Sequence, residues 1–480
     1  MAEGITYETP YQEPGHENDL KRSITGRLLF FYTLGDVLGS GIYVLIGAVA
    51  GAIGGAFWIA FAVGVTIATI TGMAYAELVT KYPQAAGAAL YVNKAFGSKF
   101  LTFLITVCFL SSSFAAAGAL SSGFSDYFLE VWDFAPALVV SLVFLLVLTI
   151  INFIGITESV VINMLMTFAE VAGLIIVTII AIWYIAEGNA DFGVLTDFSA
   201  AEGSPILAIV SGVGLAFFAM TGFENTANVA EETIDPQGSF PKALIGGMLT
   251  AGVIYVIVAM SAALTVPTAT LAGSDASLLE VVKAGIIPVP VGAMTILFAI
   301  IAMIAITNTT LVAVVTQPRI LYGMANEDVV PGVFSKIHAS RRSPWVGLIF
   351  CGIVVAGLLI IGSNVELAAG ESLIDRLATV TVVFLLFIYA LVIISCMKLR
   401  GHDETERTYR ANTGLLIFGL IGNVVLLGWV VYDDPGSLYW NAGLLALGAA
   451  LFLVEYLFGK RTRPPGAERG DPETAKGSGA

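Results

Sequence analysis

The chain has 480 residues, of which 57% are hydrophobic and only 12% charged, with a formal net charge of −14 at pH 7. A soluble protein of this length would carry about twice that charged fraction. The composition therefore indicates a polytopic helical membrane protein, and the acidic balance argues against nucleic acid as a partner.

Twelve apolar runs are long enough to cross a bilayer, which takes about 20 helical residues. We call them spans 1 to 12. They are predicted near 27–52, 56–80, 99–124, 135–155, 159–186, 205–230, 241–266, 290–322, 345–363, 373–397, 412–432 and 437–458. Short helices are expected at 88–97, before span 3, and around 277–282, after span 7. The transporter-like domain would cover 24–460, between a cytoplasmic tail at 1–23 and a disordered cytoplasmic tail at 461–480.

The basic residues predict the orientation of these spans. If the N-terminus is cytoplasmic and the spans alternate, every Lys and Arg except Lys283 and Arg376 falls on the cytoplasmic side. Cytoplasmic loops of membrane proteins carry an excess of such residues. Both termini are therefore predicted to be cytoplasmic, in a multi-pass protein of the cell membrane. The polar N-terminus lacks the pattern of a cleavable signal, so span 1 would act as an uncleaved insertion signal.

Spans 1 and 6 each contain a glycine-bearing interruption. Residues 35–41 read Gly-Asp-Val-Leu-Gly-Ser-Gly, and residues 217–224 read Phe-Phe-Ala-Met-Thr-Gly-Phe-Glu. Lipid cannot satisfy the backbone groups that a broken helix releases, and paired broken helices are typical of midplane sites in secondary transporters. The alternative is that these glycines only form a helix-packing face.

The positions of the two breaks also predict an internal repeat. They are five spans apart, so spans 1 and 6 run in opposite directions across the membrane. Two inverted five-span units follow, at about 24–190 and 203–400, which leaves spans 11 and 12 at about 410–460 as additions.

The two breaks offer complementary chemistry. Unpaired N–H groups at the start of the outer half of span 1 would face an anion, and Gly39 and Gly41 permit its close approach. Carbonyl groups released near Phe218 and Thr221 would accept hydrogen bonds from an ammonium group. An anion-binding end that faces a cation-binding end predicts an α-amino acid as the ligand.

Four motifs together resemble the amino acid–polyamine–organocation superfamily over residues 24–460. They are Gly39-Ser40-Gly41-Ile42-Tyr43, Ala74-Tyr75-Ala76-Glu77-Leu78 followed by Tyr82-Pro83 and Gly87, the run from Phe217 to Glu224 with Glu231-Glu232 and Pro236, and Arg319-Ile320-Leu321-Tyr322-Gly323-Met324-Ala325. The resemblance implies an all-α polytopic membrane protein with twelve transmembrane helices. Its fold would be the leucine-transporter fold, with inverted five-helix repeats and two extra helices.

The resemblance also implies the substrate-binding residues. Gly39, Ser40 and Gly41 would hold the substrate carboxylate. The carbonyl groups of Val37, Phe218 and Thr221 would take the amino group, and the Phe218 ring would act as a hydrophobic gate. Gly222 completes the predicted set.

Three acids lie within spans: Asp36 in span 1, Glu170 in span 5 and Glu224 in span 6. No Lys, Arg or His lies deep in any predicted span, and an ionised acid without a cation is costly in a membrane. These acids could be proton carriers, hold a cation such as sodium, pair with a cationic substrate, or be protonated structural groups.

The resemblance favours Glu224 as the proton-coupling residue, with Asp36 and Glu170 as further candidates; Glu170 stands where some family members carry a lysine. A sodium site would instead use span 8 hydroxyls, for which Thr307 and Thr310 are the candidates, with Thr309 and Asn308 also available.

The function implied is secondary active transport of amino acids across the plasma membrane, by proton symport and alternating access. The alternatives are an amino acid or polyamine exchanger, a sodium-coupled symporter and, more remotely, a non-transporting nutrient receptor. No enzyme motif, cofactor site or metal-ligand spacing is present in the sequence. The expected partners are an amino acid, protons or sodium, and the bilayer, with the substrate and the oligomeric state left open.

Overall fold

The structure, a computed structural model, describes residues 22, 24–84, 87–154, 160–199, 204–326, 329–339, 341, 343–369 and 372–458. Within these ranges twelve helical segments are long and apolar enough to cross a membrane, which confirms the predicted number of spans. The two predicted tails lie almost wholly outside the described residues.

The spans have the following bounds. Span 1 is Gly26–Leu38 and Gly41–Ile53, span 2 Trp58–Lys81, span 3 Lys99–Leu129, span 4 Ala137–Ile154, span 5 Val160–Ala186, and span 6 Pro205–Phe218 with the 3₁₀ helix Phe223–Val229. Span 7 is Pro236–Thr265, span 8 Val291–Asn326, span 9 Trp345–Ala369, span 10 Leu373–Lys398, span 11 Thr413–Asp433 and span 12 Ser437–Phe458. The connections contain the α-helices Gly87–Phe96, Thr268–Ala272 and Ser277–Lys283 and the 3₁₀ turns Gly55–Phe57, Phe192–Thr196 and Gly332–Ser335. Both predicted short helices are therefore present.

Both predicted interruptions are real helix breaks. Span 1 stops at Leu38 and restarts at Gly41, and span 6 leaves the α-helix at Phe218. Gly222 has a φ of 112°, in the left-handed region where a residue with a Cβ would be strained. The second half of span 6 is a 3₁₀ helix rather than an α-helix; its Asn and Thr residues have low α-helix propensity.

The two breaks cross each other in direct contact. A Cβ atom added to Gly41 would lie 2.4 Å from the Cα atom of Ala219, and one added to Gly222 would lie 2.5 Å from the carbonyl oxygen of Asp36. Glycine at these two positions therefore lets one backbone pass against the other. Around this crossing, spans 1 and 10 are mostly buried, whereas spans 4, 11 and 12 expose most of their apolar surface, as lipid-facing helices do.

Candidate functional site

A cavity of about 60 Å³ lies where the two breaks cross. It is lined by every predicted substrate-binding residue and by two of the three predicted proton-coupling acids, Asp36 and Glu224. Its walls are Asp36, Val37, Gly39, Ser40, Gly41, Phe109, Ser112, Ser113, Ala116, Leu120, Phe218, Ala219, Thr221, Gly222, Glu224, Asn225, Thr309, Ala313, Thr316, Thr381 and Leu385. Glu170, Thr307 and Thr310 do not line it.

The span 1 break presents hydrogen-bond donors to this cavity. The Ser40 N–H donates to the Thr309 hydroxyl on span 8 over 3.1 Å. The Ser40 hydroxyl is fully buried and has no hydrogen-bond partner among the residues that the structure describes. The half-helix Gly41–Ile53 starts here, and the positive end of its dipole favours a negative charge. The geometry therefore suits a carboxylate.

The carbonyl groups of the two breaks are tied together by Tyr255 on span 7. Its hydroxyl oxygen lies 2.5 Å from the Val37 carbonyl oxygen, 2.6 Å from that of Leu38 and 3.0 Å from that of Ala219. One hydroxyl proton serves all three acceptors, so they are incompletely satisfied and remain able to accept from another donor. A substrate ammonium at Val37 would thus share its site with Tyr255.

The Phe218 carbonyl is also engaged within the chain. It accepts from the Thr221 N–H over 3.2 Å and from the Thr221 hydroxyl over 2.8 Å. A carbonyl oxygen has two lone pairs, and here both are directed to donors of the same residue. The Val37 carbonyl, by contrast, shares a side-chain donor, the Tyr255 hydroxyl, with the Ala219 carbonyl of the other break.

Glu224 is buried at the cavity and held by neutral donors. Its Oε2 atom accepts from the Gly222 N–H over 2.9 Å and from the Tyr389 hydroxyl on span 10 over 2.7 Å. The Tyr389 ring packs against Phe223 and Tyr75, with ring centroids 5.0 Å and 6.3 Å away. The carboxyl group thus links the span 6 break to span 10 through groups that carry no charge.

Glu170 belongs to a separate polar cluster between spans 5 and 8. Its Oε1 atom accepts from the Asn308 amide over 3.0 Å, and the Asn308 amide oxygen accepts from the Asn163 amide over 3.2 Å. The Oε2 atom of Glu170 is buried and has no partner among the described residues. Tyr43 of span 1 donates to the Glu170 backbone carbonyl over 2.7 Å, which joins this cluster to the half-helix Gly41–Ile53.

The two sodium candidates point to their own helix. The hydroxyl groups of Thr307 and Thr310 each donate over 2.6 Å to a carbonyl of span 8, those of Met303 and Ile306 respectively. Of the hydroxyls available around them, it is Thr309 that reaches span 1. Their role as sodium ligands stays a prediction.

Apart from Asp36 and Glu224, the remaining cavity wall consists of apolar and uncharged polar side chains. Phe109, Leu120 and Leu385 supply apolar surface, and the hydroxyls of Thr316 and Thr381 donate to carbonyls of their own helices. Among the described residues that line the cavity, none is Lys, Arg or His. The wall therefore suits an uncharged side chain better than an acidic one.

Sequence reasoning missed Tyr255 and Tyr389 and did not place Thr309 at the substrate site. The two tyrosines are single polar residues among apolar neighbours, whereas Thr309 stands among other polar residues of span 8 that do not reach a break. All three contact a break only because distant spans pack together. The signal that could have found the two tyrosines is a hydroxyl-bearing ring in a span, because a buried hydroxyl needs a hydrogen-bond partner.

A cavity between two interrupted helices, enclosed by twelve apolar spans, defines a membrane transporter of the leucine-transporter fold. Among solved structures, the manganese transporter of Eremococcus coleocola shares this fold at a TM-score of 0.60 and 13% identity, over 92% of this chain and 98% of that one. The chain belongs to the amino acid permease family, whose model matches residues 26–452.

Two curated relatives extend over most of the chain. A branched-chain amino acid permease of Bacillus subtilis is 25% identical over 447 residues, which cover 86% of this chain and 90% of the relative. A methylthioribose transporter of the same organism is 24% identical over 463 residues, which cover 92% of this chain and 94% of the relative. The leucine-transporter fold and the membership of the amino acid permease family, both expected from the motifs, are confirmed.

Proposed function

We propose that this protein is a secondary active transporter that moves neutral amino acids across the plasma membrane together with protons, by alternating access. The observation that carries the proposal is the cavity where the N–H and hydroxyl donors of the span 1 break lie close to the incompletely satisfied carbonyls of Val37 and Ala219, with Glu224 beside them. Family membership supports an amino acid as the transported molecule.

The cavity supports a neutral substrate with a side chain of small or medium size. Its volume is small, and its wall opposite the breaks combines apolar side chains with hydroxyls bonded to their own helices. Without a basic residue in the wall, an acidic side chain would have no partner when it loses its water. The substrate of one curated relative, a branched-chain amino acid, is of the type that this wall would accept.

The partners of Glu224 support its role in proton coupling. Its two donors, an N–H and a phenol, are neutral, and neither supplies the full positive charge that would hold a buried carboxylate permanently ionised. A proton can therefore bind and leave without breaking an ion pair. Its contact with the span 6 break would make that exchange sensitive to the position of the broken helix.

Asp36 and Glu170 support two variations of this function. Asp36 lines the cavity with Glu224, so two acids face a space without a basic residue, which favours exchange of cationic amino acids or polyamines as the second candidate. Glu170 does not line the cavity, and its Oε2 atom has no hydrogen-bond partner in the part of the chain that the structure describes. It could carry a second proton or, with span 8 oxygens, hold a sodium ion.

Uptake by purified protein in proteoliposomes tests these proposals. Radiolabelled neutral amino acids are expected to accumulate against their gradient when the outer solution is more acidic and sodium is absent, because the proton gradient supplies the work. Protein-free liposomes and the Glu224→Gln variant serve as controls. Accumulation driven by sodium alone would overturn proton coupling, and uptake that requires internal amino acid would favour the exchanger. Binding without any flux would favour the receptor.

A further inference from the structure

Thr309 differs from the neighbouring threonines of span 8. The hydroxyls of Thr307, Thr310 and Thr316 donate to carbonyls one turn earlier over 2.6, 2.6 and 2.8 Å. The corresponding distance from the Thr309 hydroxyl to the Ala305 carbonyl is 3.5 Å. Hydroxyl hydrogen bonds are usually about 2.7–2.8 Å long, so this contact is weak. The hydrogen bond from the Thr309 hydroxyl to its own helix is therefore weak, and the hydroxyl can donate to another acceptor instead.

The same hydroxyl oxygen is the acceptor for the backbone of the span 1 break. The Ser40 N–H donates to it over 3.1 Å. A Cβ atom on Gly39 would lie only 2.6 Å from this oxygen, so the glycine leaves room for the hydroxyl at the break. A threonine hydroxyl has one donor and two acceptor positions, so it can accept from Ser40 and donate to a third group at once.

The Ser40 hydroxyl is a second donor at this point. Ser40 and Thr309 both line the cavity, and the Ser40 hydroxyl is fully buried without a partner among the described residues. Buried hydroxyls are nearly always hydrogen-bonded in folded proteins. Two hydroxyl groups that can each donate a hydrogen bond, the weakly bonded one of Thr309 and that of Ser40, thus lie at the cavity and at the positive end of the half-helix Gly41–Ile53.

We propose that Thr309 is a substrate-binding residue that selects for a free α-carboxylate: its hydroxyl accepts from the Ser40 N–H and donates its proton to the substrate carboxylate. The inference rests on the proposed function, since it names the group of an amino acid that this end of the cavity recognises. A primary amide in place of the carboxylate removes the negative charge and turns an acceptor into an N–H₂ donor. The site would then reject amino acid amides.

Binding of acid and amide pairs to the full-length protein in detergent tests the proposal. L-Leucine is compared with L-leucinamide, and L-alanine with L-alaninamide, in wild type and in Thr309→Val. A hydrogen bond to a charged group is worth about 1.5–3 kcal/mol, so Thr309→Val is expected to weaken binding of the acid by about 10- to 140-fold and that of the amide far less. The preference for the acid should therefore narrow by a similar factor.

Matched controls separate binding from structure. Thr178→Val in span 5 and Thr250→Val in span 7 remove hydroxyls that donate to carbonyls of their own helices at positions that do not line the cavity, and they should leave the preference unchanged. Thr309→Ser restores the hydroxyl and should restore the preference. If Thr309→Val does not fold, Thr309→Ala takes its place, because it also removes the hydroxyl and introduces no larger side chain.

Equal losses for acid and amide in Thr309→Val, or no loss at all, would overturn the inference and leave the proposed function standing, provided that wild type binds either amino acid. A wild-type protein that binds acid and amide equally well would also overturn it. If wild type binds and transports no amino acid, the proposed function fails, and this inference fails with it.

Discussion

Two buried glutamates, Glu77 in span 2 and Glu224 in span 6, differ in the charge of their partners. The Arg400 guanidinium donates to both oxygens of Glu77, over 3.0 and 2.8 Å, the Ala411 N–H donates over 2.8 Å, and the Lys81 ammonium lies 3.9 Å away. Glu224, by contrast, is held by the backbone N–H of Gly222 and the phenol of Tyr389.

The difference teaches that burial alone does not make a coupling residue. Arg400 forms a bidentate, charge-assisted pair with Glu77, and the hydrogen bonds to Glu77 raise the pKa of Arg400. Glu77 therefore links span 2 to the segment after span 10, through Arg400 and Ala411. Glu224 has donors that remain compatible with either protonation state, so it can take part in a transport cycle.

The largest effect is expected from Glu77→Gln. Removing one partner of a buried ion pair leaves the other with uncompensated charge, which typically costs about 3–5 kcal/mol. Arg400 would lose its bidentate partner, whereas Lys81 keeps Glu404 at 3.2 Å. We expect a large fall in the thermal unfolding temperature in detergent and loss of folded protein, with the driving ion of any residual uptake unchanged. Unaltered stability would show that Glu77 and Glu224 do not differ in the way proposed.

Glu224→Gln should have a smaller effect on stability and a large effect on coupling. Glutamine keeps an oxygen that can accept from Tyr389 and Gly222, but it cannot release a proton. We expect an unfolding temperature near that of wild type, no accumulation driven by a pH gradient, and partial retention of exchange between internal and external amino acid. Proton-driven accumulation that survives in this variant would transfer the coupling role to Asp36 or Glu170.

The sequence predicts the spans and the two helix breaks, because both appear as patterns of neighbouring residues. Apolar runs mark the spans, and glycines within them mark the breaks, because both follow from what a bilayer requires of a helix. The seven predicted substrate residues consequently line one cavity. The partners of the acids could not be predicted in this way: Arg400 is 323 residues from Glu77, and Tyr389 is 165 from Glu224. Only the packing of spans brings them together.

Tyr389→Phe sharpens the account of Glu224. It removes one hydrogen bond to the carboxyl group, worth about 1.5–3 kcal/mol if the acceptor is charged, while the ring stays packed on Phe223 and Tyr75. The ionised carboxylate loses the support, so proton-driven uptake should extend to higher pH. The measurement is the pH profile of initial uptake rates, with Tyr432→Phe, on an exposed tyrosine of span 11, as the control. An unchanged profile would mean that Tyr389 only fills space.

The smallest effect is expected at the exposed ion pair between Arg407 and Asp235. The Arg407 guanidinium reaches both carboxylate oxygens of Asp235, over 2.9 and 2.8 Å, yet the two side chains are 62% and 46% exposed. Exposed pairs are worth about 0.2–1 kcal/mol and weaken with salt. Arg407→Gln should therefore lower the unfolding temperature slightly at low ionic strength. In 0.5 M salt it should hardly lower it, because exposed charges are then screened over a Debye length of about 4 Å.

Arg410→Gln removes the same charge from the same segment and serves as the matched control for Arg407→Gln. If the Arg407 variant destabilised the protein as much as Glu77→Gln, the segment between spans 10 and 11 would be held by its outer contacts rather than by the buried pair. The different effects of Glu77→Gln and Glu224→Gln on stability would then follow from the position of each acid in the fold rather than from the charge of its hydrogen-bond partners. A small, salt-sensitive effect of Arg407→Gln would instead indicate that the pair of Glu77 with Arg400 contributes more to stability. In that buried pair an arginine and a carboxylate interact with little screening by water.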